Sequence, residues 1–345
     1  MKLSTYLHFL RHALWMKMDR RHRVPLTMNL HVSGACSNRC LYCVLDNDNS
    51  TDLSLDLIKT VLHEAWSMGG RRVNLTGGEP LLRDDLAEIV HYAKDRGFFV
   101  SLATCGARAQ DQVEALRAVD RVMLSLDGPR EIHDELCGPG SFEALQQGID
   151  VFETQGVSYW TTTVLTKLNI PHIDWIVGHA RSHDIQANFV LLLMQREPVP
   201  LRLPSAGEVA EILPDDGEIR AAVKQLMQLK RAGAPIGSSM PYLKQLLEWP
   251  DYSDATSPKL SRHYRCVAHQ ATCELLSDGM LYSCVSVPGC SAGVSVSEHG
   301  FAKAFTRLPE IENCRSCAIS CQLESNLIFS LNTKTIWNWM RLIGK

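Results

Sequence analysis

Cys36, Cys40 and Cys43 share the eight-residue stretch CSNRCLYC, with three residues between the first pair and two between the second. Three thiols that close suit a disulfide framework in an oxidising compartment, a structural zinc that wants a fourth ligand, or an iron–sulfur cube with three irons held by protein and one left open. An open iron can chelate a ligand through an amine and a carboxylate. The chain's twelve cysteines gather in groups, Cys314, Cys317 and Cys321 forming another, instead of spreading as paired staples. Grouping of that kind points to metal ligation in a reducing cytoplasm. A second stretch able to do chemistry is Thr76-Gly77-Gly78-Glu79-Pro80, where paired glycines let backbone approach a small ligand and edge groups hydrogen-bond an amine.

These residues need elements that bring them together. LTMNLHVSG (26–34), RRVNLT (71–76), FFVSLAT (98–104), RVMLSLD (121–127), VSYWTTTVL (157–165) and ANFVLLLM (187–194) read as strands rich in β-branched and apolar residues. Stretches 54–69, 83–96, 109–118, 141–155 and 171–183 read as helices. Strand–helix alternation means a parallel sheet with right-handed crossovers. The expected class is therefore α/β, a partial (β/α)6 TIM-type barrel over 26–248, open because closure needs eight units. Chemistry then belongs at the C-terminal ends of the strands, where the cysteine loop and the Gly-Gly-Glu-Pro turn both fall. Helices near 216–232 and 240–248 complete this part. WPDYSDATSPKLS (249–261) reads as a linker from its prolines, serines and aspartates. A small cysteine-rich domain over 262–325 and an amphipathic tail over 326–345 follow.

Cys36-x3-Cys40-x2-Cys43, with Tyr42 before the last cysteine, and Gly77-Gly78-Glu79-Pro80 together resemble the radical S-adenosylmethionine (radical SAM) superfamily over residues 26 to about 195. The resemblance implies a [4Fe–4S] cluster on those three cysteines that passes an electron to the sulfonium of S-adenosylmethionine. Methionine and a 5′-deoxyadenosyl radical result, and the radical abstracts a substrate hydrogen; the barrel supplies position and excludes water. It also implies a cofactor-binding set of Gly77, Gly78, Glu79, Pro80, Thr104, Ser125, Asp127 and Asn169. Thr104 and Gly106 fall where many members read Thr-Asn-Gly, with Cys105 in the asparagine's place, and Ser125-Leu126-Asp127-Gly128 resembles the fourth-strand segment whose serine contacts the cofactor. His133-Asp134 and Gly138-x-Gly140-Ser141-Phe142 echo a run of maturases and cofactor-building members, with Cys137 where those carry arginine. Plainer readings stand beside these. Ser125 fits a strand residue as well as a ligand, Asp127-Gly128-Pro129 is a good turn by itself, and Cys105 and Cys137 are simple thiols unless one donates a hydrogen atom near a radical.

Beyond the linker, residues 274–287 read as a hairpin around Asp278-Gly279, a two-residue turn signal. That register sets Cys273 directly across from Cys284. Cys266, Gly279-x4-Cys284 and Cys314-x2-Cys317 resemble the SPASM/twitch extension of radical SAM enzymes, which implies an auxiliary [4Fe–4S] cluster on Cys266, Cys284, Cys314 and Cys317. Cys273 and Cys321 are spare, and either could replace Cys266. Zinc could hold the same four thiolates.

A net charge of -3 gives no bulk argument for nucleic acid, and no run approaches a membrane span. Residues 1–25 nevertheless form a basic amphipathic helix with Leu3, Leu7, Leu10 and Leu14 on one face, suited to an anionic membrane surface, a lipid-like substrate or the protein's own flank. The expected location is the cytoplasm, peripheral at the inner membrane face. The expected activity is radical SAM chemistry on a lipid, isoprenoid or cofactor precursor, with flavodoxin or ferredoxin as electron donor. Peptide maturation is the alternative, although a leader-binding domain of the kind peptide-maturing members carry does not fit into the residues before the first strand. A non-catalytic iron–sulfur scaffold is the reading of another class.

Overall fold

In Thr27–Ser33 (β1) every second side chain is aliphatic: Met28, Leu30 and Val32 are fully buried, while Thr27, Asn29 and His31 point the other way. Alternation with period two makes a strand with two different faces. Arg72–Gly77 (β2), Phe99–Thr104 (β3), Arg121–Ser125 (β4), Tyr159–Leu165 (β5) and Ala187–Leu191 (β6) follow, and all six pair in parallel in sequence order. The helices Leu3–Met18 (α1), Leu55–Ser67 (α2), Leu86–Asp95 (α3), Val113–Ala118 (α4), Arg130–Cys137 (α5), Ser141–Gln155 (α6) and Ile173–Ser182 (α7) punctuate these strands. Ile58, Val61, Leu62 and Ala65 of α2, with their counterparts on α3, α6 and α7, close one core over the aliphatic face of the sheet. The opposite face lines a lumen. This is the expected partial barrel, six parallel strands in an open sheet. The chain is described here from a computed structural model, over residues 3–43, 51–194, 204–257, 259, 261, 263–284, 293–309 and 314–343.

Asp216–Arg231 (α8) starts from a capping box of Asp215 and Glu218, and Met240–Leu247 (α9) from the Ser239 hydroxyl. The remaining elements are Thr256–Ser257 (β7), Ala268–Ala271 (α10), Thr272–Leu275 (β8), Met280–Tyr282 (β9), Val294–Ser295 (β10), Val296–His299 (α11), Phe301–Arg307 (α12), Ser316–Cys317 (β11), Ser320–Phe329 (α13) and Thr333–Ile343 (α14). β8 pairs in parallel with β1, and β9 and β10 add antiparallel strands, so the cysteine-rich stretch extends the barrel's own sheet to nine strands. Residues 249–261 differ from the loose linker expected of them. Trp249 and Tyr252 are buried, the Trp249 indole donates to Asp254 O at 2.8 Å, and Thr256 of β7 pairs with Cys317 of β11. Two aromatic anchors outweigh the prolines there.

The hairpin register also corrects the expectation. Leu275 faces Leu281 and Glu274 faces Tyr282, around a three-residue loop whose last residue, Gly279, sits at φ 81°. That is a turn followed by a left-handed glycine, where the sequence suggested a two-residue turn. A slip of one residue reverses every side chain. Cys273 therefore stands across from Ser283, not Cys284. It is wholly buried beside Met28 in the core, while Cys284 faces the other side with Cys266 and Cys314.

Both terminal helices lie at the N-terminal ends of the strands. Phe9, Ala13 and Met16 of α1 pack on Val24 and Leu26, which lead into β1, and on Phe329 of α13. Trp339 of α14 meets Tyr6 and Phe9, and Arg121, the first residue of β4, donates to Leu342 O at 2.9 Å.

Candidate active site at the C-terminal ends of the strands

The cysteine loop leaves β1 at Ser33 and is tied down by backbone. Gly78 N donates to Ser33 O and Glu79 N to Ala35 O, both at 2.7 Å. A β-carbon on Gly77 would stand 2.1 Å from Ser33 O, and one on Gly78 would stand 1.9 Å from Ala35 O. The paired glycines thus serve the approach of one loop's backbone to another's, where the sequence suggested approach to a ligand. From the other side, Leu41 N donates to Leu136 O at 2.8 Å and Cys43 N to Cys40 O at 2.9 Å.

Glu79 is 1% exposed and binds three donors from two loops: Leu81 N at 2.9 Å, Thr104 Oγ1 at 2.7 Å and Cys105 N at 2.7 Å. Burial pushes its pKa up even against these donors. Thr104 in turn accepts from Gly106 N at 2.9 Å, so Glu79 and Thr104 act as braces that fix the ends of β2 and β3. Pro80 opens the short turn that Glu79 caps.

Asp127, fully buried, is the hub beside the cysteine loop. Its carboxylate accepts from Tyr42 Oη at 2.5 Å, Val164 N at 2.9 Å and Cys137 Sγ at 3.4 Å, and its own N–H donates to His133 Nδ1 at 3.1 Å. Tyr42 therefore turns inward, and the Cys40 sulfur lies beside its hydroxyl. Cys137, the residue standing in place of arginine, shares its single S–H between Asp127 Oδ2 and the Cys40 sulfur and lies 3.5 Å from Tyr42 Oη. That thiol contact holds the Cys40 pKa below its ordinary value, whereas burial lifts that of Cys36 to about 11. Cys36 and Cys40 are half-buried and Cys43 is exposed. Asn169 braces its own turn, its side chain accepting from Thr166 N and donating to Val164 O at 2.8 Å each. Ser125 faces the lumen, on the same side of β4 as Met123. Asp134 caps α6 through Phe142 N at 2.7 Å, which explains the His-Asp…Gly-Ser-Phe spacing as a structural brace.

Arg83 went unread in the sequence. Buried, it donates to Val32 O at 2.7 Å and Leu53 O at 2.9 Å and forks onto Asp85, while Asp52 beside it accepts from Ser33 Oγ at 2.9 Å and Gly34 N at 3.1 Å. Only the fold brings these partners together.

The lumen below this end is a cavity of about 330 Å³ walled by polar Asn29, Arg72 and Asn74 and apolar Met123, Trp160 and Phe189, and floored by α13 and α14, with Cys321 and Glu324 on the floor. Burial lifts the Glu324 pKa to about 7.

The second cysteine group lies at the opposite end. Continuing the hairpin register sets Cys284 across from Thr272, which is level with Thr27 at the start of β1. Cys266 and Cys314 pack beside it. Cys317, fully buried, is held by the Tyr264 hydroxyl, which donates to Cys317 O at 2.8 Å and accepts from its N–H at 2.9 Å. Burial first, then Cys266 and Cys314, raises the Cys317 pKa, so one negative charge opposes the next at this cluster of thiols. The buried Asn326 side-chain amide hydrogen-bonds the Cys266 sulfur. Both cysteine groups fit ligation chemically: sulfur donors only, on fixed backbone, with the lower group carrying a buried amide donor suited to a thiolate.

Residues 30–177 match the family model described as Radical SAM superfamily. The chain is 34% identical over 157 residues to an AdoMet-dependent heme synthase of Methanosarcina barkeri, covering 43% of this chain and 45% of that protein. It is 31% identical over 193 residues to a GTP 3′,8-cyclase of Vibrio parahaemolyticus, covering 52% and 58%. It thus spans about half the length of the curated relatives it matches. Among solved structures it resembles Streptococcus suis SuiB bound to S-adenosylmethionine, with TM-score 0.65, 17% identity and coverage of 87% of this chain and 69% of that one. It also resembles anSMEcpe with bound AdoMet, with TM-score 0.60, 15% identity and coverage of 93% and 98%. At such identities the likeness is one of fold.

Proposed function

We propose that this chain, whose residues 30–177 match the Radical SAM superfamily model, binds a [4Fe–4S] cluster on Cys36, Cys40 and Cys43 and cleaves S-adenosylmethionine reductively. The observation that carries the reading is the cysteine loop itself, locked on both flanks by backbone bonds while its three thiols remain accessible or half-buried at the active end of the barrel. When bound, such a cluster supplies the electron that releases methionine and a 5′-deoxyadenosyl radical. Glu79, Thr104 and Asp127 contribute by holding the loops, Ser125 by facing the lumen, and the lumen by excluding bulk water. An auxiliary [4Fe–4S] cluster on Cys266, Cys284, Cys314 and Cys317 is part of the proposal, supported by their convergence and by the exclusion of Cys273 into the core.

The lumen sets Asn29, Arg72 and Asn74 beside Met123, Trp160 and Phe189, which suits a substrate with polar groups on an apolar body, a cofactor precursor or an isoprenoid alike. The apolar termini, which suggested a lipid substrate, lie at the other end of the strands from the cysteine loop. Peptide modification is the second reading. One solved neighbour of similar architecture is titled as SuiB bound to precursor peptide SuiA. A flavodoxin or ferredoxin is the proposed electron donor. The scaffold reading requires a loop that binds iron yet leaves S-adenosylmethionine intact.

Anaerobic reconstitution of the Cys36/Cys40/Cys43 triple alanine variant tests the ligand assignment. About four irons should remain, should survive Cys273→Ala and should disappear with Cys284→Ala. Zinc in their place removes the auxiliary cluster from the proposal.

A further inference from the structure

We propose that α1 and α14 form a docking surface for an anionic membrane face. Among the described residues nine large hydrophobic side chains are exposed, and seven of them sit on these two helices: Leu7, Leu10, Leu14, Trp15 and Met18 on α1, Trp337 and Met340 on α14. α1 is apolar on two sides. At about 100° per residue, Phe9, Ala13 and Met16 form the face packed on Val24, Leu26 and Phe329, and Leu7, Leu14 and Met18 form the opposite one. A helix apolar all round is ordinarily covered all round. Met18 is 76% and Leu7 58% exposed.

Charge around the bare face says what covers it. Arg11, Lys17, Arg20 and Arg21 are exposed there, and Asp19 is the one acid between residues 3 and 25. On α14, Lys334 and Arg341 are exposed beside Trp337 and Met340, and the helix contains no acid. A second copy of this chain would set the same cations against themselves. An anionic lipid surface meets both demands, acyl chains for the leucines and headgroups for the cations. Because both helices lie at the N-terminal ends of the strands, docking leaves the cysteine loop on the far side of the barrel. Membrane contact here anchors the molecule and does not feed its active end, and it stands or falls independently of the radical chemistry.

Sedimentation of the full chain with vesicles tests this. At low salt the protein should pellet with equal parts phosphatidylcholine and phosphatidylglycerol and stay in solution with phosphatidylcholine alone. Leu7→Ser/Leu14→Ser/Met18→Ser should cut the bound fraction about tenfold, as should Arg11→Gln/Lys17→Gln/Arg20→Gln/Arg21→Gln. Thermal melts should be unchanged, because the replaced side chains face outward. Failure to pellet, pelleting that needs no anionic lipid, or equal pelleting of wild type and variants overturns the proposal. A dimer in solution that the leucine substitutions dissolve also overturns it, by showing that a second copy covers the face.

Discussion

Glu79 shows how a motif residue can brace two loops without reaching into the space between them. Its three donors come from the loops after β2 and β3, so Glu79→Ala leaves Leu81 N, Thr104 Oγ1 and Cys105 N without their buried acceptor. Apo-protein unfolding in urea should lose about 3 kcal/mol or more, and an unchanged midpoint would mean that water or a neighbouring group replaces the carboxylate. Gly78→Ala strikes the same junction sterically, since its β-carbon would stand 1.9 Å from Ala35 O. Iron content after reconstitution should fall with it, because the cysteine loop must shift. Cys137 acts through Cys40. With its S–H removed in Cys137→Ala, the bound cluster should show a lower midpoint potential, and Cys137→Ser should stay near wild type. A redox titration followed by electron paramagnetic resonance reads the difference, and equal potentials in all three proteins would dismiss the contact. The candidate ligand cysteines and the glycine pair stand out in the sequence because their signal is local spacing. Arg83, Asp52 and the Tyr42 hydroxyl were not, because each takes its meaning from a partner many residues away that only the parallel sheet brings near.

Among the elements, α1 has a titratable seam. His12 packs against His8 and His22, its Nδ1 2.8 Å from His22 Nε2, and burial first, then those neighbours and Arg11, lower its pKa to about 4. A histidine whose pKa is lowered on folding binds fewer protons folded than unfolded between about 4 and 6.5, so its share of stability is present above that window and is lost as pH falls through it. Docking of α1 should loosen accordingly. Hydrogen exchange of residues 3–18, corrected for intrinsic rate, should show full protection at pH 7 and reduced protection at pH 5, and equal protection at both would contradict the seam. The hairpin carries the lesson about what elements conceal. Asp278-Gly279 correctly announced a turn, but whether Gly279 closes a two-residue loop or ends a three-residue one depends on pairing with β1, and that single residue decides which cysteine meets the core. The six barrel strands, by contrast, were readable as β-branched and apolar runs, because each packs at least one face against helices.

For the whole molecule, the arrangement is two cysteine groups at opposite ends of one sheet, separated by the seven residues of β1, roughly 20 Å of strand. The lumen lies between them, and the terminal helices close the lower end. Separation on that scale means that loss of either group should leave iron binding at the other intact, as the reconstitution experiment reads directly. The central claim is cleavage of S-adenosylmethionine at the upper group. The measurement that tests it most directly is 5′-deoxyadenosine release by the anaerobically reconstituted chain with a strong reductant, beside the Cys36→Ala/Cys40→Ala/Cys43→Ala variant. Release by the wild type, abolished in the variant although its lower-end iron is retained, is the predicted result. Release by the variant at the wild-type rate, or none from a wild type that carries its full iron, would contradict the account.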